Sequence, residues 1–140
     1  MNAVSDADTA WIELRSRCTL PWIFDSLYRL ADANTFRINR HGYSELEKHP
    51  FRIEGSADRG QFDVLGWPIG GEINSSPPRR VTFRIDGNRI TIGQNIVVTR
   101  EWDAFEEKCR LRVSIDGKKD DRQYTAAKVV QTALEPLFFG

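Results

Sequence analysis

The stretch 41–49, HGYSELEKH, holds both histidines of the chain. His41, Glu45 and His49 recur at four-residue steps, so on a helix they would lie one turn apart on one face. Two imidazoles and a carboxylate form a ligand set used for zinc and iron. Gly42 and Pro50 bracket the stretch and leave room for little more than one helical turn. A polar surface loop is therefore the plainer reading of these three residues, and no cofactor is expected.

Other chemistry has less support. Cys18 and Cys109 are the two cysteines, and two do not make a disulfide framework. Each sits at an apolar position of its segment, and both are expected as buried free thiols that behave as small hydrophobes. The chain has no GxSxG elbow and no local Cys–His arrangement. WPIGG (67–71) matches neither a Walker nor a dinucleotide glycine loop. The adjacent carboxylates Glu106–Glu107 and Asp120–Asp121 fall in polar turns, where solvation is their ordinary fate. An enzyme thus ranks third among the functional readings, behind two kinds of binding protein.

A different pattern recurs in FRIN (36–39), FRIE (51–54), FRID (83–86) and LRVS (111–114). In a strand, the apolar residues point one way and the arginine between them points the other. An outer face would then collect Arg37, Arg52, Arg84, Arg110 and Arg112 together with Glu54, Asp63, Asp86 and Asp116. Such opposite charges stabilise a solvated sheet face by about 0.2–1 kcal/mol per cross-strand pair. RNA-binding sheets instead place aromatics on the open face. The whole chain carries 20 basic and 20 acidic residues. That neutrality argues against a nucleic-acid binder, whose affinity comes largely from phosphate neutralisation, and against a polybasic membrane-surface protein.

The elements that must position these residues follow from periodicity. Ser5 to Asp8 form a capping-rich turn before Trp11, Ile12 and Leu14, which predicts a helix start. Pro21 suits the first turn of a second helix, with Ile23, Phe24, Leu27, Tyr28, Leu30 and Ala31 on one stripe and Asn34 as its end. The period then becomes two over Phe36/Ile38, Phe51/Ile53, Phe62/Val64, Val81/Phe83/Ile85, Ile90/Ile92, 96–99 and Cys109/Leu111/Val113/Ile115. A DGN turn at 86–88 predicts a hairpin. Asp120 or Asp121 would cap a final helix carrying Tyr124, Ala127, Val130, Leu134 and Leu137, with Pro136 stopping it or distorting its last turn. The expected architecture is one α+β domain over 1–140: a helical segment 1–33, a six- to seven-stranded antiparallel sheet 34–118, open or strongly curved, and a C-terminal helix and tail 119–140 on its apolar face.

The first 11 residues hold no basic stretch followed by an apolar run, and no run approaches the ~18 apolar residues of a membrane span. A reducing cytoplasm is the expected location. The first functional reading is a non-enzymatic regulatory domain that recognises another protein. Its partner-binding residues would be Trp67, Ile69, Arg79 and Arg80 in the loop 67–80, with Trp102 and Phe105 sharing one helical turn between two strands. The alternative is an apolar ligand held between a curved sheet and the last helix, lined by Phe36, Phe51, Phe62 and Phe83.

Overall fold

The computed structural model of the protein describes residues 3–43, 50–67 and 77–140. Helices α1 (Asp6–Ser16) and α2 (Leu20–Tyr43) precede seven strands: β1 (Phe51–Ser56), β2 (Gln61–Gly66), β3 (Arg79–Asp86), β4 (Arg89–Ile92), β5 (Ile96–Asp103), β6 (Lys108–Ile115) and β7 (Lys118–Tyr124). A helical turn, Ala57–Arg59, joins β1 to β2, and α3 (Ala126–Phe139) follows β7. The sheet is antiparallel with strand order β1-β2-β3-β4-β5-β6-β7. Each strand pairs with its sequence neighbours, and β1 and β7 remain as two edges, so the sheet is not closed. No helix among the described residues is long and apolar enough to cross a membrane.

One face of the sheet carries the core. Phe62, Phe83, Ile92, Ile96 and Ile115 face one another across β2 to β6. A parallel row runs through Ile85, Ile90, Val98 and Val113. Helix α2 lays Leu20, Ile23, Phe24, Leu27 and Ala31 onto this face, and α3 adds Val129, Val130, Ala133, Leu134 and Leu137. Gly66 is required where these layers meet: a Cβ there would come within 2.9 Å of the Phe51 ring and 3.1 Å of Leu137.

Three boundaries differ from the sequence expectation. Helix α2 does not end at Asn34, whose Nδ2 donates to the Leu30 carbonyl inside the helix at 2.6 Å. The helix carries on because Ala31, Thr35 and Ile38 continue the inward stripe at i, i+4 and i+7. Thr35 is buried, and its hydroxyl returns to the Ala31 carbonyl at 2.8 Å. The alternation of Phe36 and Ile38 is therefore part of a helix and not a strand; Phe36 lies on the outer side, 60% exposed, with the Arg40 guanidinium over its ring. KKDDRQY (118–124), expected as turn and helix cap, is instead the edge strand β7. The turn before it consists of Asp116 and Gly117, both at positive φ (55° and 78°) as a two-residue hairpin requires. The cap of α3 is Thr125, which accepts from the Lys128 amide, and the helix runs past Pro136 to Phe139.

Candidate interaction surface

At one corner of the sheet, α1 meets the hairpin β5–β6. Helix α1 is started by the Asp8 carboxylate, which accepts from the Ser5 amide at 3.1 Å and from the Ser5 hydroxyl at 2.9 Å. Asp6 and Asp8 in its first turn and Arg15 in its last complement the helix dipole. None of its residues is buried. Trp11, Ile12 and Leu14 are all exposed, at 47%, 50% and 38%. Only Trp11, Ile12 and Leu14 among its large apolar side chains could form a stripe, too short a run to cover against the sheet as α2 does.

The helix is tied down at its C-terminal end. Cys18 and Cys109 form a disulfide across 91 residues of sequence, with Cα atoms 5.3 Å apart. This overturns the expectation of two free thiols. Sequence order gave no sign of the pairing, because it arises only when the α1–α2 junction is laid against β6. The Arg15 guanidinium lies 5.8 Å from the Trp102 ring centroid and donates to the Cys18 carbonyl at 3.1 Å. Trp102 is the cross-strand partner of Cys109, so the cation and the disulfide hold the same spot.

Beyond that spot the hairpin turns. Asp103 Oδ1 accepts from the amides of both Phe105 and Glu106 at 3.0 Å. Arg110 lies 3.6 Å from Asp103 and bonds Glu106 at 2.8 Å. The amide bond from Glu106 is the main reason the Asp103 carboxyl is held below its ordinary value of 3.8. This frame presents Phe105 fully to solvent, at 100% exposure. Trp102 belongs to β5 itself, half-buried on the face toward α1, so the expected helical turn shared by Trp102 and Phe105 is not formed.

Three of the other expected partner residues make contacts within the chain. Trp67 is buried, with the Arg52 guanidinium 4.8 Å from its ring centroid. Arg79 donates to the Leu137 carbonyl at 2.8 Å and to that of Pro136 at 3.4 Å, and so caps α3. Arg80 pairs with Asp63 at 3.1 Å, and Thr82 donates to the same carboxylate at 2.6 Å. Ile69 lies outside the described residues. Phe51, Phe62 and Phe83 fill the core: Phe62 stacks on Phe83 at 4.5 Å between centroids, Phe24 and Tyr28 pack on Phe62, and Phe51 meets Phe138 edge-on at 4.9 Å. Phe36 stands apart from them on α2. His41 is exposed in the last turn of α2; Glu45 and His49 lie outside the described residues.

The arginine lattice on the outer face is visible in part. Arg52 pairs with Glu54 at 2.9 Å, Arg89 with Asp86 at 3.6 Å and Arg112 with Glu101 at 2.7 Å. Arg37 is on α2 and Asp116 in a turn, so neither belongs to it. At the β7 edge, Asp120 accepts from Arg122 at 2.6 Å and from the Tyr124 hydroxyl at 2.7 Å. The Arg122 side chain, then Tyr124, hold the Asp120 carboxyl well below the usual carboxylate range. A cleft of about 490 Å³ opens beside this network, lined by Glu106, Lys108, Cys109, Leu111, Arg122 and Tyr124 among others. It forms where the β6–β7 register shifts between Leu111 and Val113.

Comparison with protein-family models, with curated proteins and with solved structures finds no match to this chain.

Proposed function

We propose that the protein is a non-enzymatic binding module that recognises another protein, of the accessory, chaperone, immunity or inhibitor kind, through the corner built by α1 and the β5–β6 tip. The observation that carries this reading is Phe105. It is fully exposed, yet the turn that displays it is fixed by two amide bonds to Asp103. An apolar ring displayed in water on a backbone already fixed is a ready anchor, because no ordering of the turn is needed when a partner covers it. Trp11, Ile12 and Leu14 extend the apolar surface along α1. The ligand-binding alternative has no comparable observation, since three of its four phenylalanines are packed against other rings.

The expected cytoplasmic location rested on free thiols together with a start unlike a leader and the lack of a membrane-length apolar run. With Cys18 and Cys109 joined, the free-thiol support is gone, and the bond is of the kind that persists most often in oxidising compartments.

A photo-crosslinking amino acid placed at Phe105 in the producing cell tests the proposal, with the same group at Arg84 on the outer sheet face as control. A discrete adduct from position 105, lost on Trp11→Ala while the melting temperature is unchanged, is the expected result. Equal adducts from both positions would remove the corner from consideration.

A further inference from the structure

We propose that Cys109 is a thiol-exchange site, and that opening its bond to Cys18 releases α1 from the sheet while the covered core stays folded. The two sulfurs sit in unlike surroundings. Cys18 is 1% exposed. Cys109 is an exposed residue and lines the 490 Å³ cleft between β6 and β7. Of the two residues only Cys109 opens to solvent, and exchange depends on access to the sulfur attacked. The cleft is large enough to admit a small thiol. Its arginines are already engaged, Arg110 with Glu106, Arg112 with Glu101 and Arg122 with Asp120, so reach rather than charge selects the reactant.

The exchange balances as follows. A low-molecular-weight thiol R–SH, as its thiolate, attacks the Cys109 sulfur; the Cys109–Cys18 bond breaks and Cys18 leaves as thiolate, taking up a proton. Cys18 Sγ lies 3.8 Å from the Glu101 carbonyl oxygen, so its new S–H has an acceptor already in place. A second R–SH attacks the R sulfur of the mixed disulfide, which frees Cys109 as thiol and yields R–S–S–R. The protein disulfide is reduced by two electrons and two thiols are oxidised.

The consequence for α1 follows from what holds it. An 11-residue helix with no buried residue is marginal on its own in water. Among the described residues it is tied to the body by the disulfide at the junction, by the Arg15 guanidinium over Trp102 and by its C-cap Arg17, 5.9 Å from the Trp22 ring centroid. The buried cluster begins at Leu20, after the junction, and does not include Cys18. Loss of the bond therefore removes the covalent tie at the foot of α1, while the buried Cys18 side chain and the cluster from Leu20 onward lose no atoms. The inference needs no partner protein, so its failure would leave the binding proposal standing, and the reverse holds too.

The test uses the full oxidised chain with reduced glutathione as the probe thiol and no denaturant. Peptide mapping by mass spectrometry should find the mixed disulfide on Cys109. Cys18→Ser, which lacks the resolving thiol, should trap the same adduct from glutathione disulfide; should that variant not fold, the native chain alone decides. After full reduction, hydrogen exchange of residues 6–17 should rise at least 10-fold while Phe83, Ile92 and Val98 keep their protection. An adduct on Cys18, no adduct without denaturant, unchanged exchange in 6–17, or equal loss of protection in the core would each overturn the proposal.

Discussion

Helices α1 and α2 follow one another in the chain, carry the same kinds of apolar residue, and end in opposite environments. In α2, Leu20, Ile23, Phe24, Leu27 and Ala31 repeat at three- and four-residue steps and vanish beneath the sheet. In α1, Trp11, Ile12 and Leu14 crowd a short stretch, and every residue of the helix stays at the surface. The two helices therefore rest on different physics. One is held by roughly 1.5–3 kcal/mol for each large side chain it removes from water. The other is held, among the described residues, by one covalent bond and by two arginines over rings, Arg15 at Trp102 and the C-cap Arg17 at Trp22. Apolar content alone does not decide burial; the length of the apolar stripe and the surface it meets do.

The sharpest way to break this contrast is to open the covered half. Phe83→Ala removes a ring that is fully buried and stacked on Phe62. A loss of about 3–5 kcal/mol is expected from chemical denaturation. A loss below ~1 kcal/mol would mean that the core is looser than its ring contacts suggest. A smaller effect sharpens the picture at the edge of the same half. Asn39, late in α2, donates to the Phe51 carbonyl at 2.9 Å and accepts from the Phe51 amide at 3.2 Å, and so fastens the helix to β1. Asn39→Ala removes both bonds, at a cost of about 1–2 kcal/mol. Asn39→Asp sets a carboxylate oxygen against the Phe51 carbonyl in place of the donor and should cost at least as much above the carboxyl pKa.

The smallest effect belongs to the clasped corner. Asp103 has a depressed carboxyl pKa when folded, chiefly through the Glu106 amide. Its contribution is present above the unfolded value of 3.8 and is lost as the pH falls through the lower folded value. The Phe105 and Glu106 amide resonances should therefore move with a midpoint below 3.8, while core resonances do not follow them. A midpoint at or above 3.8 would show that the tip is not held by this carboxylate.

Much of the sheet was legible because strands that bury one face write their alternation into the sequence. Val81, Phe83 and Ile85, and Cys109, Leu111, Val113 and Ile115, appear on one face as read. The DGN turn also falls where expected, with Gly87 at φ 61°. The failures occur where two periods overlap or none exists. Phe36 and Ile38 satisfy period two, but Ala31, Thr35 and Ile38 satisfy the helical one, and packing against β1 and α3 decides for the helix. Strand β7 has no apolar alternation at all before Tyr124, because an edge strand needs only one partner. Two lysines and two aspartates there also discourage further pairing. The candidate site was hardest to read. Phe105 was recoverable as an aromatic between strands, but Trp102 took its place from the strand register. The link from Cys18 to Cys109 depends on tertiary placement that no local spacing encodes.

The unbroken strand order β1 to β7 bears on how the chain is made. Each strand's sheet partner is its neighbour in sequence, so the loops that strand pairing must close are short. During vectorial synthesis no strand waits with a bare edge for a distant partner, a condition that invites misassembly. Two long-range events remain for the end, the seating of α3 on α2 and the arrival of Cys109 beside Cys18. Until α3 arrives, the phenylalanine row is roofed by α2 alone, and that interval is when a nascent chain of this protein most needs shelter.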